Sequence, residues 1–432
     1  MKYFGTDGIR GKAYTFITEE MSFRIGKSLN HFKSISKKIY IARDTRISGT
    51  MIVENIKKGA LLAGIDVCNL GVYATPLLAF ASVKNDCIGV MVTASHNPYH
   101  DNGIKIFNRG EKSSDAMELL IEEVIDNDLD LANETPGNEF EDSKIIDLYF
   151  ENFKDFDTTM NINVGLDLAN GATTTSALKA LARFIGKAFV IGDKPDGLNI
   201  NLNCGSTHLE ALQELVIQNQ LDLGFAFDGD GDRVLVVDDL GEIIDGDLLI
   251  YIMAKYLKHH NLLNNDVVVL SKMSNLGIIR ALNDLGIRVI QTEVGDKYIF
   301  KALDEEQGVL GGENSGHIIN KHLFKTGDGV LNAWFILKVL NHFQIKLSVL
   351  KKEVTYYPDI LINIKNIDKN LVNDEEVIKR VEKYKTMLGS DGKVLVRASG
   401  TEPLIRVSVS AKTEELVKTI SSDLVNLIES KR

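Results

Sequence analysis

Cysteine is scarce in this chain: Cys68, Cys87 and Cys204 among 432 residues, with no C-x-x-C pair. That excludes a zinc ribbon and a disulfide scaffold, and it suits a reducing compartment. Proline is also scarce, six in all, which leaves no room for Pro-rich linkers. Positive charge is in deficit. Lys and Arg number 49 against 60 Asp and Glu, a net charge of −11, which argues against a nucleic-acid backbone as partner. Long apolar runs are missing too, since no segment approaches the ~18 uninterrupted apolar residues a membrane span needs. The most suggestive stretch, residues 61–83, carries Asp66 and Asn69. The first seven residues lack the apolar run of a secretory signal. The expectation is a cytoplasmic protein with neither membrane nor nucleic acid as partner.

What is present is ordinary globular composition, 44% apolar and 25% charged, in a length that suggests about three domains of usual size. Turn-rich or acidic stretches at residues 126–142, 238–247 and 351–359 are the candidate connections. Between them a pattern repeats three times. Apolar runs of strand type open each unit, at Ile39-Tyr40-Ile41-Ala42, Ile162-Asn163-Val164-Gly165-Leu166 and Val267-Val268-Val269-Leu270. A polar loop, a helix-like segment and a second short apolar run follow. A third run then leads into the unit's most unusual loop: T-A-S-H-N-P after Val92, D-G-D-G-D-R after Phe227, and G-G-E-N-S-G-H after Leu310. Strand, helix, strand, helix, strand predicts repeated α/β units with mixed, mostly parallel sheets. In such sheets chemistry sits in loops at the carboxyl ends of strands, where all three loops fall. The last ~75 residues differ. Two strand-like runs around residues 393–396 and 404–409 flank R-A-S-G-T-E-P, with amphipathic helices at 375–387 and 414–428, a smaller α+β domain presenting one loop. The expected domains are 1–140, 155–242, 246–352 and 358–432, around one central cleft.

Asp228-Gly229-Asp230-Gly231-Asp232-Arg233 is the strongest chemical signal. Three carboxylates at alternate positions repel one another unless a cation sits among them, and the glycines let the backbone curl until the oxygens converge. Hard oxygen ligands of this kind suit Mg²⁺. An EF-hand is excluded, because its sixth and twelfth loop positions here are Arg233 and Asp239 rather than Gly and Glu. In T-A-S-H-N-P, Ser95 stands beside His96. The G-x-S-x-G of a serine hydrolase is absent, so Ser95 is either a phosphoryl carrier facing the metal loop or part of a plain turn. Gly312-Glu313-Asn314-Ser315-Gly316-His317 offers the donors and acceptors a polyhydroxylated ligand requires, or is a polar turn. Arg397-Ala398-Ser399-Gly400-Thr401-Glu402-Pro403, with Arg406 beyond it, has the make-up of an anion cradle. Arg10 lies in a second glycine-rich loop, and Lys105 follows an expected turn at D-N-G. Gly26-Lys27-Ser28 echoes a P-loop ending, but the leading glycine of that motif would fall on Met21. No G-x-G-x-x-G is present either.

Six motifs in this order, F-G-T-D-G-I-R-G, T-A-S-H-N-P, D-N-G-I-K, D-G-D-G-D-R, G-E-N-S-G-H and R-A-S-G-T-E-P-L-I-R-V, resemble those of the α-D-phosphohexomutases over nearly the whole chain. The form of G-E-N-S-G-H and of the following T-G-D-G (residues 326–329) is similar to the subgroup acting on glucosamine phosphates. Mutases for glucose and mannose phosphates are the alternative. The resemblance implies an isomerase that moves a phosphoryl group between O6 and O1 of a hexose phosphate, feeding UDP-N-acetylglucosamine synthesis in the glucosamine case. It implies Ser95 as phosphoserine, with one Mg²⁺ held by Asp228, Asp230, Asp232 and a Ser95 phosphate oxygen. Arg10, Lys105 and His317 would surround the transferring group, and Arg233, Glu313 and Ser315 would contact substrate. Arg397, Ser399, Gly400, Thr401 and Arg406 would grip the non-reacting phosphate. A hexosamine bisphosphate or an unidentified kinase would prime Ser95, in a monomer or homodimer. Two other classes compete: an aspartyl-phosphate phosphotransferase with Asp228 as nucleophile, and a non-enzymatic sugar-phosphate binder. Neither accounts for an acceptor serine together with a three-carboxylate loop.

Overall fold

A computed structural model describes residues 1–155, 161–399 and 404–431. Its chain forms two compact units, Met1–Met273 with Ile287–Lys351, and Ser274–Gly286 with Lys352–Arg432. No helix among the described residues is long and apolar enough to cross a membrane.

The first unit holds three sheets built on one plan. In the first, strand Lys38–Arg43 lies parallel between Asp66–Val72 and Ile88–Val92. In the second, Val164–Asp167 lies parallel between Ala188–Ile191 and Leu223–Phe227. In the third, Val267–Ser271 lies parallel between Arg288–Thr292 and Leu310–Gly312. The central strands are buried along their length, which is why they read as continuous apolar runs rather than alternating ones. After its unusual loop each third strand doubles back as an antiparallel partner: Asp101–Asn108, Val234–Asp238 and Ile318–Asn320. The sheets are therefore mixed, a parallel trio with antiparallel additions.

One local expectation changes. The D-N-G segment before Lys105 is strand, not turn. Gly103 faces Arg10 across an antiparallel pair, and a side chain there would lie 2.4 Å from the Thr93 carbonyl. The Gly26-Lys27-Ser28 segment, whose echo of a P-loop already failed on the sequence, ends helix Glu19–Ser28. Gly26 serves packing there, because a Cβ would fall 2.1 Å from the Ile56 carbonyl of helix Gly49–Leu62. Ile25, Ile52 and Ile56 of these helices join Ile39, Ile41 and Val90 of the sheet in one apolar core.

The second unit carries an antiparallel three-stranded sheet in the order Asp359–Lys365, Leu404–Ala411, Gly392–Ala398. Helices Glu375–Leu388 and Glu414–Glu429, capped by the Asp374 and Thr413 side chains, supply Val377, Val381, Ile420 and Leu424 to a core with Ile405 and Val407. The first of these strands falls partly within the stretch expected as a connection. Its alternating D-I-L-I-N-I-K pattern is that of a half-buried sheet edge.

Candidate active site

Strand Ile88–Val92 delivers Ser95 into the interior, 1% exposed, with a left-handed φ of 51°. That conformation costs a non-glycine residue roughly 1–2 kcal/mol and needs holding from outside. The holding is visible. The Ser95 N–H donates to Thr93 Oγ1 (2.9 Å), whose hydroxyl donates to Asp44 Oδ2 (2.6 Å). Arg46 donates from Nη2 to the carbonyls of Ser95 (2.9 Å) and Asn97 (2.8 Å), and from Nη1 to those of Pro98 and Asp101. Its Nε donates to Asp44 Oδ2 (2.9 Å), and both side chains are fully buried. Asn201 adds a bond to the Ser95 carbonyl at 2.9 Å. One planar guanidinium thus fixes four carbonyls of the serine loop, a task an ammonium lacks the geometry for. Arg46→Ala is expected to destabilise the fold by about 3–5 kcal/mol, because Asp44 would remain buried and unpaired. A urea titration checks this, with Arg109→Ala, whose pair with Asp86 is exposed, as the control shifting by less than ~1 kcal/mol.

The buried strand Leu223–Phe227 delivers the acidic loop to the same place. Gly229 permits the approach, since a Cβ there would lie 2.5 Å from the Ser95 carbonyl. Ser95 Oγ donates to Asp228 Oδ2 at 2.7 Å and lies 3.2 Å from His96 Nδ1. Asp228, Asp230 and Asp232 are all buried, each with an oxygen within 4.8 Å of the others. Burial, then the charges of Asp232 and Asp230, push the Asp228 carboxyl well above the usual range. Among the described residues, Asp230 Oδ1 and Asp232 Oδ1 are buried with no hydrogen-bond partner. Crowded carboxylates with orphaned oxygens are what a hard divalent cation would satisfy.

Cations surround the loop. Lys105 Nζ sits 2.8 Å from Asp230, 3.1 Å from Asp232 and 3.1 Å from Asp7. Burial opposes its charge, but the three carboxylates outweigh this and hold it protonated well above the usual lysine range. Arg233 Nε lies 3.8 Å from Asp232, and Arg10 is paired with Asp7. Burial first, then the Arg233 and Arg10 charges, lower His96 to about 4, so its imidazole is neutral at physiological pH. His317 lies between Asp232 and Asp296, 3.5 Å from each. Burial alone would lower its pKa, but these two carboxylates raise it to about 9, and it carries charge at neutral pH.

The third loop is hydrogen-bonded to the second. Val234 N–H donates to the Gly316 carbonyl (3.1 Å), and Arg233 bridges His317. Glu313 is buried and accepts from the Gly295 N–H at 2.9 Å, and Ser315 Oγ is buried without a partner among the described residues. A cavity of about 170 Å³ opens beside Lys105, Asp232 and His317. Arg397, Ser399 and Arg406 lie in the second unit. Arg397 and Arg406 stand directly opposite each other across antiparallel strands, a placement in which like charges repel. Gly400 and Thr401 lie outside the described residues.

The sequence pointed to Ser95, Lys105, His317 and the three aspartates. It passed over Asp7, Asp44, Arg46, Thr75, Asn201 and Asp296. Thr75 donates to Asp230 Oδ2 at 2.5 Å. A signal existed for Asp44 and Arg46, since R-D-T-R also follows a buried parallel strand, but nothing local marks a charged pair as buried.

Residues 1–131, 147–241, 245–357 and 361–427 match, in turn, domains I, II and III of the α/β/α type and the C-terminal domain of phosphoglucomutase/phosphomannomutase. Phosphoglucosamine mutase of Lachnoclostridium phytofermentans is 41% identical over 100% of this chain and 98% of its own. That of Bacillus subtilis (strain 168) is 41% identical over 99% and 98%. The fold is shared with a phosphoglucomutase/phosphomannomutase family protein from Burkholderia thailandensis (TM-score 0.81, 21% identity, covering 98% of this chain and 97% of that one). It is shared also with Aspergillus fumigatus N-acetylphosphoglucosamine mutase, solved with GlcNAc-6P and magnesium (TM-score 0.67, 16% identity, 98% and 95%). Full-length identity at this level and four domain matches in order leave one conclusion: the chain belongs to the phosphoglucomutase/phosphomannomutase family, in its phosphoglucosamine mutase branch, and is an isomerase of the intramolecular phosphotransferase type.

Proposed function

We propose that the chain interconverts glucosamine 6-phosphate and glucosamine 1-phosphate in the cytoplasm, with Ser95 as phosphoryl carrier. The observation that carries this reading is the Ser95 hydroxyl, 2.7 Å from a carboxylate of the buried acidic loop. Phosphoserine 95 gives its phosphoryl group to the sugar O1, forming the 1,6-bisphosphate and freeing the serine. The intermediate turns over, and its O6 phosphoryl group returns to Ser95, leaving glucosamine 1-phosphate. A hexosamine bisphosphate, or a kinase, would prime the serine.

Asp228, Asp230 and Asp232, with a phosphate oxygen on Ser95, would hold one Mg²⁺, which when bound neutralises phosphate charge. Phosphoryl transfer needs positioning and charge balance more than covalent help, and Arg10, Lys105, Arg233 and protonated His317 supply cations on the protein's side. Glu313 and Ser315 would take sugar hydroxyls, which suits the unpartnered Ser315 Oγ. Arg397, Ser399, Gly400, Thr401 and Arg406 would grip the phosphate that is not reacting, which suits two facing arginines. Four domains, 1–140, 155–242, 246–352 and 358–432, would divide these tasks.

Arg406→Ala is expected to raise KM and to lower kcat, because binding energy from the remote phosphate helps organise the reacting end. Steady-state kinetics with both parameters unchanged would remove Arg406 from the site. The sugar is tested by a coupled assay on the glucosamine, glucose and mannose phosphate pairs, each with its own 1,6-bisphosphate. One polar contact discriminates by only ~1–3 kcal/mol, so the glucosamine pair should lead in kcat/KM by at least ~10-fold with leakage to the others. A lead for glucose or mannose phosphate would overturn the substrate and leave the phosphoserine chemistry standing.

A further inference from the structure

Two helices run away from the active-site loops. Helix Gly246–His259 is capped by Asp245, and its Gly246 N–H bonds the Asn314 carbonyl of the third loop. Helix Gly329–Phe343 is capped by Asp328, and its Gly329 N–H bonds the Gly231 carbonyl of the acidic loop. At 1.5 Å per residue, 14 or 15 residues carry each helix roughly 20 Å from the chemistry. The two pack side by side, with Tyr256 edge-on to Phe335 at 5.4 Å. Their carboxyl ends come together in three histidines. His260 and His342 have ring centroids 4.6 Å apart, His259 and His260 5.1 Å, and His259 and His342 5.4 Å. All three are exposed, and each offers a ring nitrogen within 4.8 Å of the others.

We propose that His259, His260 and His342 form a second metal site, remote from catalysis, that takes a divalent transition ion of the zinc, nickel or copper class through three imidazole nitrogens. Nitrogen donors without carboxylates select such ions over Mg²⁺, which prefers oxygen. Tetrahedral coordination at about 2.0–2.1 Å per nitrogen requires the rings to close in slightly, which exposed side chains can do, with water completing the shell. Two converging helix carboxyl ends favour a cation at this spot. Lys255 over the Phe343 ring and Lys338 over the Trp334 ring are the nearby charges that oppose binding. The bound ion would tie together the free ends of two helices whose other ends support the acidic and sugar loops.

The test titrates Zn²⁺ into metal-stripped full-length protein in excess Mg²⁺, which occupies the acidic loop, and reads affinity and stoichiometry by calorimetry. One equivalent of Zn²⁺ should bind in the micromolar range. His342→Gln should weaken it at least ~10-fold, about 1.4 kcal/mol, and the triple His→Gln variant should abolish it, with mutase turnover unchanged in both. Copper loaded at the same site should show nitrogen hyperfine structure in its EPR spectrum. Saturating Zn²⁺ should raise the melting temperature of the parent protein and not of the triple variant. Absence of stoichiometric binding, or an affinity unaltered by His342→Gln, would overturn the site.

Discussion

Ser95→Ala is expected to lower turnover at least ~10³-fold, the scale on which loss of a nucleophile is felt, while the chain keeps its fold. The fold is spared because the serine loop is held through its backbone. Arg46 and Asn201 bind the Ser95 carbonyl, Thr93 accepts from its N–H, and none of these contacts involves the hydroxyl. Alanine at a φ of 51° is strained much as serine is. What disappears is the oxygen that carries the phosphoryl group and that donates to Asp228. A coupled assay gives the turnover and circular dichroism the fold. A variant that retains more than a tenth of the parent activity would place the carrier elsewhere.

Asp230→Asn is expected to cost at least ~10²-fold in turnover, since a bound metal is worth several kcal/mol of charge stabilisation. Asp230 is a ligand candidate with an orphaned Oδ1, and its Oδ2 accepts from Thr75 and Lys105. Asparagine keeps the volume and removes one of three mutually repelling charges, so the metal-free variant should melt no earlier than the metal-free parent. Lys105 keeps Asp7 and Asp232 as partners in the variant. Mg²⁺ should raise the melting temperature of the parent and much less that of Asp230→Asn. EDTA should remove activity from the parent and Mg²⁺ restore it. Full activity after stripping would contradict the metal assignment of the acidic loop.

The repeated units were legible because their central strands are buried on both faces, and such strands read as short unbroken apolar runs that end at the chemistry-bearing loops. Ile39 to Ala42, Val267 to Leu270 and Gly224 to Phe227 all lie in observed strands. The strand that follows the acidic loop was legible too, but Asp101–Asn108 looked like a turn, because Asn102 and Gly103 are turn residues in isolation and strand residues only between two neighbours. The reacting residues stood out through unusual local composition. Their supports did not. Arg46 looks like any loop arginine until residues about 50 positions away bring four carbonyls to it. Asp296 opens helix Asp296–Glu305 and Asp7 sits in a short turn, each a single unremarkable carboxylate, and only the fold brings them to His317 and Lys105.

The central claim is that the phosphoryl group rests on a serine hydroxyl. Protein treated with a hexosamine 1,6-bisphosphate, cleaved into peptides and mapped by tandem mass spectrometry should carry one phosphoryl group, on Ser95, that survives hydroxylamine. A label on Asp228 that hydroxylamine removes, or an unlabelled Ser95 peptide from active enzyme, would contradict it.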